Sequence, residues 1–235
     1  MKEKYVLFGV SGFLSDIIDV IHANDGRVTA LYMNMPEVKR DHMMGLRERL
    51  ALLDYPVDVH ESLESFEPQP DVRYALGTPA PHRHRLVEEL KKTYSLTFGS
   101  LIHPTAFLGS NVRIGEGVFV NVNATVGPNA ILDDFCTMNR CVSIGHETRI
   151  GKHALIGPNA TIAGSVTVGD CATVAMMATI IDKVRVGAWT FVGAASLVTK
   201  DLPERVVAFG VPARIVRDNR DADYKNYMDR RTGLQ

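Results

Sequence analysis

From Ile102 onward every sixth residue is apolar, and the register never slips. The column runs through Leu108, Ile114, Val120, Val126, Leu132, Met138, Ile144, Ile150, Ile156 and Ile162 to Val198, seventeen consecutive positions. Chance does not produce such a run in a chain that is 46% hydrophobic. A period of six fits neither a helix nor a long strand. Four residues after each member, sixteen of the seventeen positions hold Ala, Val, Cys, Ser or Thr, and only Leu202 is larger. The residue between these two columns is mostly polar, as at Arg113, Thr125, Thr161 and Arg185. In–out–in alternation marks a short strand, and the three residues left over must turn a bend.

The leading residue of that bend is Gly at nine of the seventeen repeats and Asn or Asp at Asn121, Asp133 and Asn139. These types tolerate a left-handed backbone, so the left-handed conformation is expected at the leading position. One strand and one bend per six residues close a triangular coil every three repeats. Stacked coils make a parallel β-helix, each coil about 4.8 Å above the last.

Residues 1–101 follow another rule. Tyr5–Phe8 reads as a strand, and Leu14, Ile17, Ile18 and Ile21 form a helical stripe behind it. A strand over 28–33, a helix over 40–53, a strand over 72–77 and a helix over 82–94 continue the alternation. β then α, repeated, predicts a small Rossmann-like parallel sheet covered by helices. The expected organisation is an α/β domain over 1–101, a β-helix over 102–216, and a charged, aperiodic tail over 217–235 that is disordered or a short surface helix. The segment 82-HRHR-85 reads as the solvated opening of its helix.

A formal net charge of −1 gives no electrostatic reason to bind nucleic acid or an anionic membrane. Three unevenly spaced cysteines, with no CxxC pair, suit neither a disulfide framework nor structural zinc. Asp16 and Asp19 interrupt the apolar N-terminal run before it reaches signal-peptide length, and no apolar run of about 20 residues follows. A soluble, cytoplasmic protein acting on small molecules is expected.

Within the repeats, 141-CVSIGHETRIG-151 places His146 and Glu147 side by side at the middle and trailing positions of a bend. In a strand one of two neighbours would be buried. At a bend both can point outward, and the carboxylate can reach the imidazole. Such a carboxylate fixes the tautomer and makes the other ring nitrogen a better base, suited to taking a proton from an amine or hydroxyl. His153 is also a bend residue and reads as structural. Met176, Met177 and Trp189 at bends, with Leu155 and Phe191 at outward strand positions, are apolar groups that call for a partner surface or ligand.

The unbroken array resembles the left-handed β-helix of the hexapeptide-repeat acyltransferases. The whole order of parts, over about residues 4–216, is similar to that of the bacterial sugar acetyltransferases that include sialic acid O-acetyltransferases and N-acetyltransferases of nucleotide-linked amino sugars. Those parts are 9-GVSG-12, 75-ALG-77, 146-HE-147, 163-AG-164 and 210-GVPAR-214. The resemblance implies transfer from acetyl-CoA to an amino sugar, with His146 as general base and Glu147 raising its basicity; transfer to a sugar hydroxyl such as that of sialic acid is the alternative. It also implies a homotrimer whose active site lies in the groove between neighbouring β-helices. Gly164, one coil above His146, is expected to contact the cofactor, with Leu155, Met176 and Ala194 at further cofactor positions. Ser11, Gly12, Phe13 and Gly77 match the acceptor-binding positions. No metal is implied.

The chain departs from the family in several places: the acidic pair expected after the second strand is missing near Met33-Asn34, and Gly77 is followed by Thr78-Pro79. A second histidine found nine residues after the base in the amino-sugar branch is Leu155 here, and the pattern G-x-S-G-H-G reads 9-GVSGFL-14. A zinc-hydrolyase reading of the same β-helix would need histidines five apart, whereas His146 and His153 are seven apart. A non-catalytic scaffold has no use for the His-Glu pair.

Overall fold

The structure is a computed structural model that describes residues 2–37, 44–78 and 83–219. Its N-terminal part alternates β1 (Glu3–Phe8), α1 (Leu14–Ala23), β2 (Gly26–Tyr32), α2 (Leu46–Leu50), β3 (Asp58–His60), β4 (Arg73–Leu76) and α3 (His84–Tyr94). The four strands form one parallel sheet in the order β3-β2-β1-β4. Strand β3 escaped the sequence reading because three residues, Asp-Val-His, carry too little alternation to register. The helix expected over 40–53 is helical over Leu46–Leu50, and 40–43 lie outside the described residues.

Leu14, Ile17, Ile18 and Ile21 are all buried, so the predicted stripe of α1 is the face laid on the sheet. Two apolar clusters, one on each side of the sheet, run on into the second half of the molecule: one takes in Phe119, the other Phe135. Both are outward residues of the repeats, yet they are 5% and 4% exposed. Burying each contributes about 1.5–3 kcal/mol to docking of the N-terminal domain.

The repeats form a triangular prism of two-residue strands from β5 (Leu101–Ile102) to β21 (Leu197–Val198). Each pairs in parallel with a strand 18 residues away. Three stacked sheets result: a first face beginning with β5, a second with β6 (Phe107–Leu108) and a third with β7 (Arg113–Ile114). The two inward columns form one apolar core from Val118 to Leu202, continued by Val206, Ala208 and Ala213.

The bends correct one expectation. The left-handed residue is the trailing one: every trailing residue from Asn111 to Ala195 has φ between 54° and 62°. The leading glycines are required for another reason. A Cβ on Gly127 would sit 2.7 Å from the backbone nitrogen of His146 in the next coil, a distance real Cβ atoms do not adopt. Glycine is therefore demanded by coil stacking rather than by φ.

Two further expectations are overturned. Arg83 is 5% exposed, not solvated: it donates to Thr78 O, Phe135 O and Thr137 Oγ1 and so joins the N-terminal domain to the prism. Trp189 needs no outside partner, since His84 meets its ring edge-on at 5.2 Å and Arg205 lies over it. The segment 210-GVPAR-214 is the turn of a hairpin between β22 (Val206–Gly210) and β23 (Ala213–Asp218), which carries order through Arg217 and Asp218. Residues 220–235 of the expected tail lie outside the described residues.

Candidate active site

Because equivalent residues recur every 18 positions, each vertex of the prism carries columns of bend residues. The vertex between the second and third faces carries His146 with Gly164 directly above it, and Glu147 with Ser165 above it. Glu147 is the left-handed trailing residue, φ 58°. Its Oε2 lies 3.4 Å from His146 Nδ1, and the two side chains are 59% and 62% exposed, open to a ligand. With Nδ1–H turned to the carboxylate, Nε2 is the basic nitrogen. The Nε2 edge of the ring rests against Gly164: a Cβ built there would fall 2.5 Å from Nε2 and 2.7 Å from Cε1. The flanking N–H groups of Ala163 and Ser165 bond Ile180 O and His146 O, while that of Gly164 makes no hydrogen bond among the described residues. A solvated imidazole, its distal nitrogen backed by a carboxylate and its working nitrogen beside a bare backbone, can accept a proton from a substrate.

The N-terminal candidates meet at the carboxyl ends of β1 and β4, where the strand order reverses and open α/β sheets bind ligands. Ser11 Oγ donates to Gly77 O at 3.1 Å and accepts from Phe13 N at 3.2 Å. Gly77 packs so closely on Gly9 that a Cβ would strike the Gly9 carbonyl. Gly12 is the exposed apex of the turn. The residues that depart from the family pattern are taken up by packing: Phe13 meets Phe119 edge-on at 5.4 Å, and Leu14 is fully buried. Arg49, whose side chain is 12% exposed, holds the turn by donating to Ser11 O at 3.1 Å and to Glu37 Oε1 at 3.0 Å. The sequence reading missed it, since its partner Ser11 lies 38 positions away.

Asp16, in the first turn of α1, accepts from Arg140 Nη1 at 2.5 Å and from Asn121 Nδ2 at 3.2 Å. The turn is thereby set beside the vertex between the first and second faces. Met176 and Ala194 lie on that same vertex, two and three coils above Arg140, and both are exposed. Leu155 points outward from the first face in β14 (Leu155–Ile156), half-buried. One chain therefore gathers Ser11, Gly12, Phe13 and Gly77 near the vertex of Met176 and Ala194, and holds His146, Glu147 and Gly164 on another. His153 sits on the third vertex, stacked on Phe135 at 5.1 Å, so it forms no pair with His146. Burial, with Arg83 and His84 nearby, lowers its pKa to about 3. Among the described residues no group of three or more His, Cys, Asp or Glu is placed to hold a metal ion, and no helix is long and apolar enough to cross a membrane.

The family model for bacterial transferase hexapeptide repeats, six repeats long, matches residues 147–182. A galactoside O-acetyltransferase of Lactococcus lactis is 30% identical over 147 residues, which cover 60% of this chain and 71% of that protein. The structure of PerB from Caulobacter crescentus, in complex with CoA and GDP-perosamine, superposes with a TM-score of 0.77 at 27% identity, covering 90% of this chain and 96% of that one. The acetyltransferase domain of PglB from Neisseria gonorrhoeae shares the fold, with a TM-score of 0.77 at 19% identity over 92% of this chain and all of that domain. With the six-residue period, the prism and an L. lactis relative matched over most of its length, the chain belongs to the bacterial hexapeptide-repeat transferases and is an acyltransferase.

Proposed function

We propose that this enzyme transfers an acetyl group from acetyl-CoA to the amine of a nucleotide-linked amino sugar, with His146 as general base. The observation that carries the reading is the imidazole held between Glu147 at Nδ1 and bare Gly164 at Nε2. Acetyl-CoA supplies the acetyl thioester. The chain's residues do the rest: Nε2 takes the proton of the acceptor nitrogen, and Glu147 accepts from Nδ1–H and stabilises the imidazolium that forms. The Gly164 N–H is free to donate to an oxygen that gains charge, the part a second histidine at the position of Leu155 would otherwise play. Ala163 and Gly164 leave room beside the base for an extended pantetheine arm. The resemblance to PerB, solved with CoA and GDP-perosamine, supports this substrate class. The resemblance to a galactoside O-acetyltransferase favours a hydroxyl acceptor as the second reading.

The separation of the acceptor turn from His146 within one chain supports a site completed by two chains. The turn, Met176, Ala194 and Leu155 would come from one chain and His146, Glu147 and Gly164 from its neighbour, in a homotrimer. Three free cysteines, two of them buried, suit the reducing cytoplasm where acetyl-CoA is available. Thiol release from acetyl-CoA against GDP-, UDP- and dTDP-linked amino sugars, galactosides and sialic acid tests the acceptor class. Turnover with a nucleotide-linked amine and none with hydroxyl acceptors is expected; turnover confined to hydroxyl acceptors overturns the amino-sugar assignment.

A further inference from the structure

We propose that Ser165 is a positioning residue for the base, holding the Glu147 carboxylate where His146 needs it. This rests on the reading of His146 as the base. Ser165 stands 18 residues after Glu147, one coil above it, and its hydroxyl donates to Glu147 Oε2 at 3.1 Å. That is the oxygen that faces His146 Nδ1. A glutamate that is 59% exposed has three side-chain torsions and water on most sides, so nothing in its own bend stops it turning away from the imidazole. The hydroxyl above it ties down the oxygen concerned.

The bend that carries Ser165 is itself tied to the coil below. Bends on the neighbouring vertex close on themselves, as where Ala160 N donates to Gly157 O, but among the described residues those on the vertex of His146 do not. Over Ala163–Val166 a hydroxyl from the coil below spans the bend, as those of Ser100 and Thr190 do elsewhere in the prism. Thr148 Oγ1 donates to Ala163 O at 2.9 Å and accepts from Val166 N at 3.2 Å. Thr148 is wholly buried in a column otherwise filled mainly by Ala, Val and Cys. An apolar residue would pack there as it does elsewhere, so the hydroxyl serves the bend above it. That bend presents Gly164 to the ring and Ser165 to the carboxylate. Thr148 locks the platform, and Ser165 makes the contact.

Ser165→Ala is expected to lower kcat about tenfold, short of the ~10² that a misplaced group can cost, with KM for acetyl-CoA unchanged. Ser165→Asn, which tolerates the left-handed backbone at φ 58° and keeps a side-chain donor, should restore kcat. Thr148→Val should act in the same direction with less effect, and a thermal melt records any loss of folding separately. If Ser165→Ala keeps the wild-type kcat while His146→Ala loses activity, the positioning role is wrong and the base stands. If His146→Ala is itself active, the reading on which the proposal rests has failed.

Discussion

His146 owes its place to arithmetic: the period of six puts it at the middle of a bend, outside the core, where an imidazole can meet a ligand. That much was legible in the sequence, as was its pairing with Glu147. The Ser165 contact was not, because it needs both the 18-residue coil step and the direction in which a left-handed trailing residue projects its side chain. Gly164 is expected from the sequence as a cofactor contact; the structure sets it against the His146 ring. Gly164→Ala would place a methyl within the space of the imidazole, 2.5 Å from Nε2. The ring must swing away, and kcat should fall by about 10²-fold, the cost of roughly 1 Å of misplacement. Calorimetric titration with CoA separates the two roles. CoA binding retained with kcat lost fits a support for the ring; CoA binding lost with it fits a cofactor contact alone.

At the scale of elements, short strands, bends and the α1 stripe follow from local pattern, so they could be read directly. Contacts between the halves could not. Arg83 sits in a charged run that looks solvated, and only the fold brings Phe135 and Thr137 to it across more than 50 residues. His153 lies in the same interface. Its pKa is lowered to about 3 from the ordinary 6.5, so it is neutral when folded and takes up its proton more readily when unfolded. The unfolded chain therefore binds more protons as pH falls below about 6.5. Stability present above that value should be lost progressively toward pH 3. Melting temperatures measured from pH 7 to 4 should fall less steeply in His153→Phe, which keeps the stack on Phe135, than in the wild type. Parallel slopes would remove His153 from the account.

At the scale of the whole molecule, the Ser11–Phe13 turn and His146 lie on different vertices of one prism, and the proposed reading therefore calls for a second chain. The two-chain site predicts complementation. His146→Ala and Gly12→Trp, which crowds the exposed apex of the turn, should each be inactive alone. Co-expressed, the two variants should assort into mixed trimers in which roughly a quarter of sites pair an intact turn with an intact base. Activity recovered in the mixture requires a site shared between chains, and a mixture as inactive as its parts places the whole site within one. The central claim is chemical. It is tested most directly by the rate of thiol release from acetyl-CoA, measured on a reactive acceptor for wild type and His146→Ala. A loss of about 10²–10⁴-fold with CoA affinity retained is the expected result for a general base. A His146→Ala enzyme within a few-fold of the wild type would contradict the account.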